Sequence, residues 1–190
     1  MQFSIQDLVS NDTMPQDLAN FFIERIVSDD SIVGCAMPVG GGKTVILESL
    51  FPYMNDVVRV KPGDVVSGSN IYAEEISPRM SIPLGRYYWN DDLKQLFRMK
   101  KDNLSLCSTM HSDSYYDTKN QLCQFISEMD FFDINILYYI GIRNPIWERK
   151  PNTSILWIVD GYRYISSVYY SRGKREHELI YTKESGLKKY

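Results

Sequence analysis

The chain has no apolar run near the roughly 18 residues that a membrane-spanning helix needs. Its first residues, Met1-Gln-Phe-Ser-Ile-Gln-Asp7, carry neither the basic nor the apolar region of a secretory signal. These absences make the cytoplasm the expected compartment. Cysteine is scarce: Cys35, Cys107 and Cys123 are odd in number and scattered. That excludes a disulfide frame or a zinc set and reads as small buried hydrophobes in a reducing compartment. Positive charge is not in excess, since 21 Lys and Arg against 24 Asp and Glu leave a net charge of −3. No overall pull toward nucleic acid or an anionic membrane follows. Repeats and low-complexity linkers are missing from the 190 residues, so the reading is a single domain, 1–182, with a polar tail, 183–190. What the chain does have is apolar surface, 44% of its residues, enough for a real core.

Its most informative stretch is Ser31-Ile-Val-Gly-Cys-Ala-Met-Pro-Val-Gly-Gly-Gly-Lys-Thr44. A short apolar run leads into three glycines, then Lys43, Thr44 and a second apolar run. This is the strand, loop and helix order that a phosphate-binding loop requires. Glycines let backbone N–H groups wrap a phosphate without Cβ clashes. Pro38, Val39, Gly40, Gly41, Gly42, Lys43 and Thr44 are therefore the candidate nucleotide-binding residues. Lys43 is suited to the β- and γ-phosphates of ATP, and the Thr44 hydroxyl to Mg²⁺. The full pattern, G-x-x-x-x-G-K-[ST], has Met37 where its first glycine belongs.

Along the chain the apolar spacing predicts a helix over 14–28 and a strand over 31–36. The glycine loop and a helix over 43–53 follow, then a buried strand over 57–60 and a turn over 61–64. Residues 65–77 give no clear pattern. A strand weakened by Pro83 is read over 80–84, and a helix capped by Asn90 runs to about 101. A strand over 104–109, a helix over 115–129 and a strand over 134–142 come next. Strands over 154–159 and 163–170 flank Asp160-Gly161, a hairpin signal, and a last strand covers 178–182. Alternating strands and helices followed by a β-rich end predict an α/β fold. Its sheet is mostly parallel, flanked by helices, with an antiparallel C-terminal edge.

A second motif follows the strand over 104–109. Thr109-Met-His-Ser-Asp-Ser114 places His111 just beyond a strand's carboxyl end, where an open α/β sheet presents its ligand crevice. If that strand neighbours the one before the glycine loop, His111 lies near a bound γ-phosphate. The alternative is an ordinary loop histidine.

These two motifs together resemble the type II/type IV secretion ATPases, which include pilus motors and conjugative-transfer ATPases. Thr109–Ser114 looks like their histidine box, and Met37-Pro-Val-Gly-Gly-Gly-Lys-Thr44 is similar to their phosphate loop. Arg163-Tyr-Ile-Ser-Ser-Val-Tyr-Tyr170 resembles a late strand of the conjugative branch. The resemblance spans roughly residues 10–182. It implies a P-loop NTPase (RecA-like) core, ATP and Mg²⁺ as cofactors and His111 as a γ-phosphate sensor. It also implies a hexameric ring of identical chains and a cytoplasmic place, peripheral to the inner membrane, in a secretion or transfer complex.

Two acidic boxes of that family are not matched. Lys61 stands about where a water-activating glutamate belongs, and Pro83-Leu-Gly-Arg86 puts arginine where a later strand ends in an acid. Hydrolysis needs an acid to position water and to hold Mg²⁺ or its water ligands. The replacements are Asp64 and Glu75, taken with His111 as the candidate catalytic residues. Glu74, Asp91 and Asp92 are further acids. Glu74-Glu75 also reads as a solvated pair, and Asp91-Asp92 as the first turn of a helix. Arg59, Arg79 and Arg86 are candidate phosphate contacts or ordinary surface arginines. The leading reading is an ATP-hydrolysing motor domain. The alternatives are a nucleotide-binding subunit without hydrolysis, a small phosphoryl-transfer kinase and a DNA-translocating or packaging ATPase. The basic clusters at 94–101 and 172–175 carry too few interleaved aromatics to indicate nucleic acid strongly.

Overall fold

The computed structural model describes residues 3–76, 87–151, 155–173 and 176–188. Ser4 opens helix α1 (Ile5–Ser10) with a reciprocal cap. Its hydroxyl accepts from the Asp7 N–H, and the Asp7 carboxylate accepts from the Ser4 N–H at 2.8 Å. Apolar spacing gives no sign of this short helix. Helix α2 (Gln16–Val27) starts after an extended Pro15 and buries Leu18, Ala19, Phe22 and Ile26. Strand β1 (Ile32–Cys35) is wholly buried.

The helix read over 43–53 is broken in two: α3 (Lys43–Glu48) and a 3₁₀ turn over Phe51–Tyr53. Pro52 has no N–H to continue an α-helical ladder. Strands β2 (Val57–Val60), β3 (Asn70–Ile76) and β4 (Tyr87–Tyr88) follow, then helix α4 (Asp91–Lys100) and strand β5 (Ser105–Met110). Asn90 precedes α4 at φ 51° but makes no side-chain cap bond. The helix read over 115–129 is also two, α5 (Tyr115–Leu122) and α6 (Glu128–Phe132). The Ser127 side chain accepts from the Asp130 N–H and starts the second one afresh. Strands β6 (Ile136–Arg149), β7 (Leu156–Tyr170), β8 (Glu178–Thr182) and β9 (Gly186–Leu187) complete the chain. Thus part of the 183–190 stretch, read as a polar tail, pairs with β8.

The sheet order is β2-β3-β5-β1-β6-β7-β8-β9, with β4 paired to the end of β3. From β2 to β6 the pairs are parallel, and from β6 to β9 they are antiparallel. Side chains alternate across the sheet. Ile32 joins the core under α1, α2 and α3, while Val33 and Cys35 join the core under α4, α5 and α6. The expected α/β sandwich with an antiparallel edge is therefore observed.

The hairpin read at Asp160-Gly161 is corrected. Strand β7 runs unbroken through these residues, and the chain reverses between Lys150 and Ile155, where the Lys150 N–H donates to the Ile155 carbonyl at 2.9 Å. Gly161 serves a close approach. At φ 139°, a Cβ there would lie 3.1 Å from the Pro145 Cα of the neighbouring strand. The ladder shifts register opposite it, between Arg143 and Ile146. A glycine that clears a bulged neighbour has the same sequence signature as one in a tight turn. The strand read over 80–84 lies outside the described residues.

His177 is a core histidine packed among Tyr115, Phe131 and Phe132. Its Nε2–H donates to the Ile134 carbonyl at 2.7 Å. Burial pushes its pKa down from 6.5 to about 4. Below the ordinary value the unfolded chain takes a proton that the folded chain refuses. Stability should therefore fall by about 3 kcal/mol between pH 6.5 and 4 from this group alone. Urea midpoints across that range should show the loss, and His177→Gln should flatten it.

Candidate functional site

β1 runs into the glycine loop, and the loop is tied down from the far end of the chain. Val39 bridges to Trp157, and the Ile158 N–H donates to the Val39 carbonyl at 2.9 Å. Gly40 and Gly42 have φ of 82° and 91°, the left-handed region that favours glycine. A Cβ on Gly40 would overlap the Ile158 carbonyl oxygen. The Gly41 N–H donates to the Pro38 carbonyl at 3.2 Å and closes the turn. The Tyr138 hydroxyl, from β6, donates to the Lys43 carbonyl at 2.9 Å where α3 begins.

Three parallel strands, β1, β5 and β3, end side by side, so their carboxyl ends form one crevice. Each delivers one group. The loop after β1 brings Lys43, His111 follows the end of β5, and Glu75 is near the end of β3. Lys43 is 7% exposed and Glu75 6%. The Lys43 ammonium lies 3.2 Å from both His111 ring nitrogens, 3.4 Å from the Ala36 carbonyl and 3.9 Å from Glu75 Oε2. His111 Nδ1–H donates to the Met37 carbonyl at 2.7 Å, and Nε2 stands 3.0 Å from Glu75 Oε1.

Burial first, and then the Lys43 charge, hold the His111 pKa below 6.5 against the pull of Glu75. With Nδ1 committed to Met37, Nε2 stands between the Lys43 ammonium and the Glu75 carboxylate. Burial lowers the Lys43 pKa too, opposed by the Glu75 charge. A second layer fixes the geometry. The Gln121 amide donates to the His111 carbonyl at 3.2 Å and to Asp117 at 2.7 Å. The Thr109 hydroxyl donates to the Glu74 carbonyl at 2.8 Å.

Around these groups lies a cavity of about 710 Å³, within the usual size of a small-molecule site. Its lining comes from the loop (Val39 to Thr44), from Glu75 and His111, from α1 and from the β6–β7 hairpin, Arg163 included. Pro38 lies just outside the lining. Glu75 is the one acid among the described residues that line the cavity.

Asp64 is not brought to this site. Its carboxylate accepts from the Lys61 N–H at 2.9 Å in the turn after β2, at the sheet edge remote from the glycine loop. Lys61 is exposed in the same turn. Arg59 pairs with Glu48 at 3.2 Å and lies over the Tyr72 ring. Asp91, in the first turn of α4, pairs with Lys94. Arg79 and Pro83–Arg86 lie outside the described residues. Spacing gave no hint of Tyr138, Gln121 or the Arg163 contact. The sole signal for Glu75 was a pair of acids ending the apolar run Ile71-Tyr-Ala73.

A bound anion with Mg²⁺ fits what is present. Glu75 Oε1 is a buried carboxylate oxygen without a hydrogen bond. A buried polar atom of this kind needs a donor such as a water. Among the described residues no three His, Cys, Asp or Glu converge to hold a metal unaided, so the ion would enter with phosphates, through Thr44.

The architecture is a mostly parallel α/β sheet flanked by helices, with an antiparallel edge. Three solved structures share it at low sequence identity. The ATPase DotB of Legionella pneumophila aligns with a TM-score of 0.54 at 13% identity, over 90% of this chain and 51% of its own. The VirB11 ATPase of the Brucella suis type IV secretion system, in complex with sulphate, gives 0.50 at 14%, over 90% and 59%. The pilus retraction motor PilT with bound ADP gives 0.53 at 11%, over 97% and 55%. This chain thus spans between half and three fifths of the length of these proteins. No protein-family model and no curated protein sequence matches it. Among the described residues no helix is long and apolar enough to cross a membrane.

Proposed function

We propose that this chain binds ATP with Mg²⁺ at the loop 38–44 and hydrolyses it as a motor-type ATPase domain. The observation that carries this is the convergence of Lys43, His111 and Glu75 on the floor of one cavity. Backbone N–H groups of Gly40 and Gly42 would face the β-phosphate, while that of Gly41 keeps the turn closed on Pro38. Lys43 would leave Glu75 to neutralise the β- and γ-phosphates, and Thr44 would ligate the metal. Mg²⁺ supplies charge neutralisation of the triphosphate. Glu75, freed from Lys43, has an unbonded oxygen for the attacking water. His111, held by Met37 through Nδ1, would register the γ-phosphate by donating from Nε2 once that nitrogen carries a proton. A ring of identical chains and a cytoplasmic role beside an inner-membrane secretion or transfer complex are part of the same reading. They are supported by the likeness to DotB, VirB11 and PilT.

A second reading keeps nucleotide binding without hydrolysis. It is favoured by the single carboxylate at the cavity, which would have to serve both metal and water. Phosphate release with Mg²⁺ present separates the two.

The binding step is tested by titrating a fluorescent ATP analogue with Mg²⁺. Lys43→Ala removes a charge-assisted contact of about 1.5–3 kcal/mol and should raise Kd by about 10- to 150-fold. No binding by the wild-type chain at millimolar ATP would end both readings.

A further inference from the structure

We propose that Arg163 is a second phosphate-binding residue, supplied to the glycine loop by the C-terminal strand β7 of the same chain. This rests on the nucleotide reading of the cavity and adds a residue to it. Its Nε–H donates to the Gly40 carbonyl at 3.1 Å, and Nη1 donates to the Gly161 carbonyl at 3.0 Å. Nη2 lies 3.4 Å from the Ile158 carbonyl. All three acceptors are neutral. Among the described residues no carboxylate pairs with this guanidinium. Lys43, by contrast, already faces Glu75.

Arg163 is therefore a half-buried cation whose charge is left unanswered, and desolvating a charge is costly unless something pairs with it. It lines the nucleotide cavity. Its Cδ lies 3.1 Å from where a Cβ on Gly42 would stand, which puts the side chain directly beside the glycines. A guanidinium has five N–H donors in a planar fork. Three are used on carbonyls, and these hold the plane still. The remaining two, one on each Nη, are free for a phosphate oxygen pair, the geometry in which arginine recognises phosphate. The same side chain thus fixes the loop through Gly40 and offers charge to what the loop holds. The ligand class is the polyphosphate of a nucleotide.

The test separates charge from fixation by titrating ADP and ATP into the wild-type chain and into Arg163→Lys, Arg163→Gln and Arg163→Ala. Lysine keeps the charge and loses the fork, whereas glutamine keeps one amide donor and loses the charge. Losing a hydrogen bond to a charged group should raise Kd about 10- to 100-fold in Gln and Ala. Lys should recover affinity to within about fivefold. Affinity of the wild-type chain should also fall more steeply with salt than that of Gln, since one fewer ionic contact remains to be screened. Millimolar guanidinium ion should restore binding to Ala. Lys no better than Gln, or Ala binding ADP like the wild type, would overturn the proposal while leaving the loop reading intact. Loss of affinity that merely follows a fall in Tm across all three variants would overturn it too. Should the wild-type chain bind neither nucleotide while Lys43→Ala behaves identically, the loop reading itself fails and takes this with it.

Discussion

Glu75→Gln is expected to cut ATP turnover by about 10²–10⁴-fold, the usual range for losing a general base, while ATP binds at least as tightly as before. Two features combine to give that split. Glutamine has the same shape, so β3 and its Thr109 neighbour need not move. The Glu75 carboxylate, however, lies 3.9 Å from Lys43 and competes with phosphate for the ammonium. Removing its charge frees Lys43 for the nucleotide and denies the attacking water its acceptor. Kd from a fluorescent nucleotide and phosphate release under single-turnover conditions measure the two effects separately. Wild-type turnover in this variant would remove Glu75 from the chemistry. Turnover undetectable in both forms, with ATP still bound, would favour the binding-only subunit.

The second large effect is on stability. Gly40→Ala should destabilise the fold by about 2–5 kcal/mol and abolish nucleotide binding. The left-handed φ of 82° costs an alanine about 1–2 kcal/mol, and forcing a methyl into a packed site adds about 1–3 kcal/mol. What the methyl meets is the Ile158 carbonyl of β7, which is main chain and has no rotamer by which to withdraw. Gly42→Ala is the control. Its φ is 91°, so the backbone cost is similar, but its Cβ would meet the flexible Arg163 side chain at 3.1 Å. It should be the milder variant by at least about 1 kcal/mol in urea unfolding. Equal losses would mean that β7 does not brace the loop.

The parts of this site legible in the sequence are those whose meaning is local. Gly40 to Thr44 and His111 declare themselves because strand, loop and helix signals adjoin them. Glu75 was only one of several candidate acids, because β3 is buried on both faces and shows no alternation to mark it as a strand. Its place two strands from β1 is a fact of topology, not of spacing. Asp64 was put forward because it followed a readable strand, β2, but that strand is the outer edge of the sheet. The Asp160-Gly161 pair shows the opposite difficulty. The local signal was strong, but a neighbouring bulge required the glycine for a different purpose. The split of 115–129 into α5 and α6 turned on one serine cap inside a continuous apolar stripe.

The bond from Arg163 to Gly40 joins residues 123 positions apart. A ribosome adding about 5–20 residues per second would leave the glycine loop waiting roughly 6–25 seconds for the strand that braces it. Through that interval the nascent chain has the loop residues but not the walls of the cavity. If the loop holds a nucleotide as proposed, competence to do so would arrive only with β7, and capture of ATP would signal that synthesis has passed that strand.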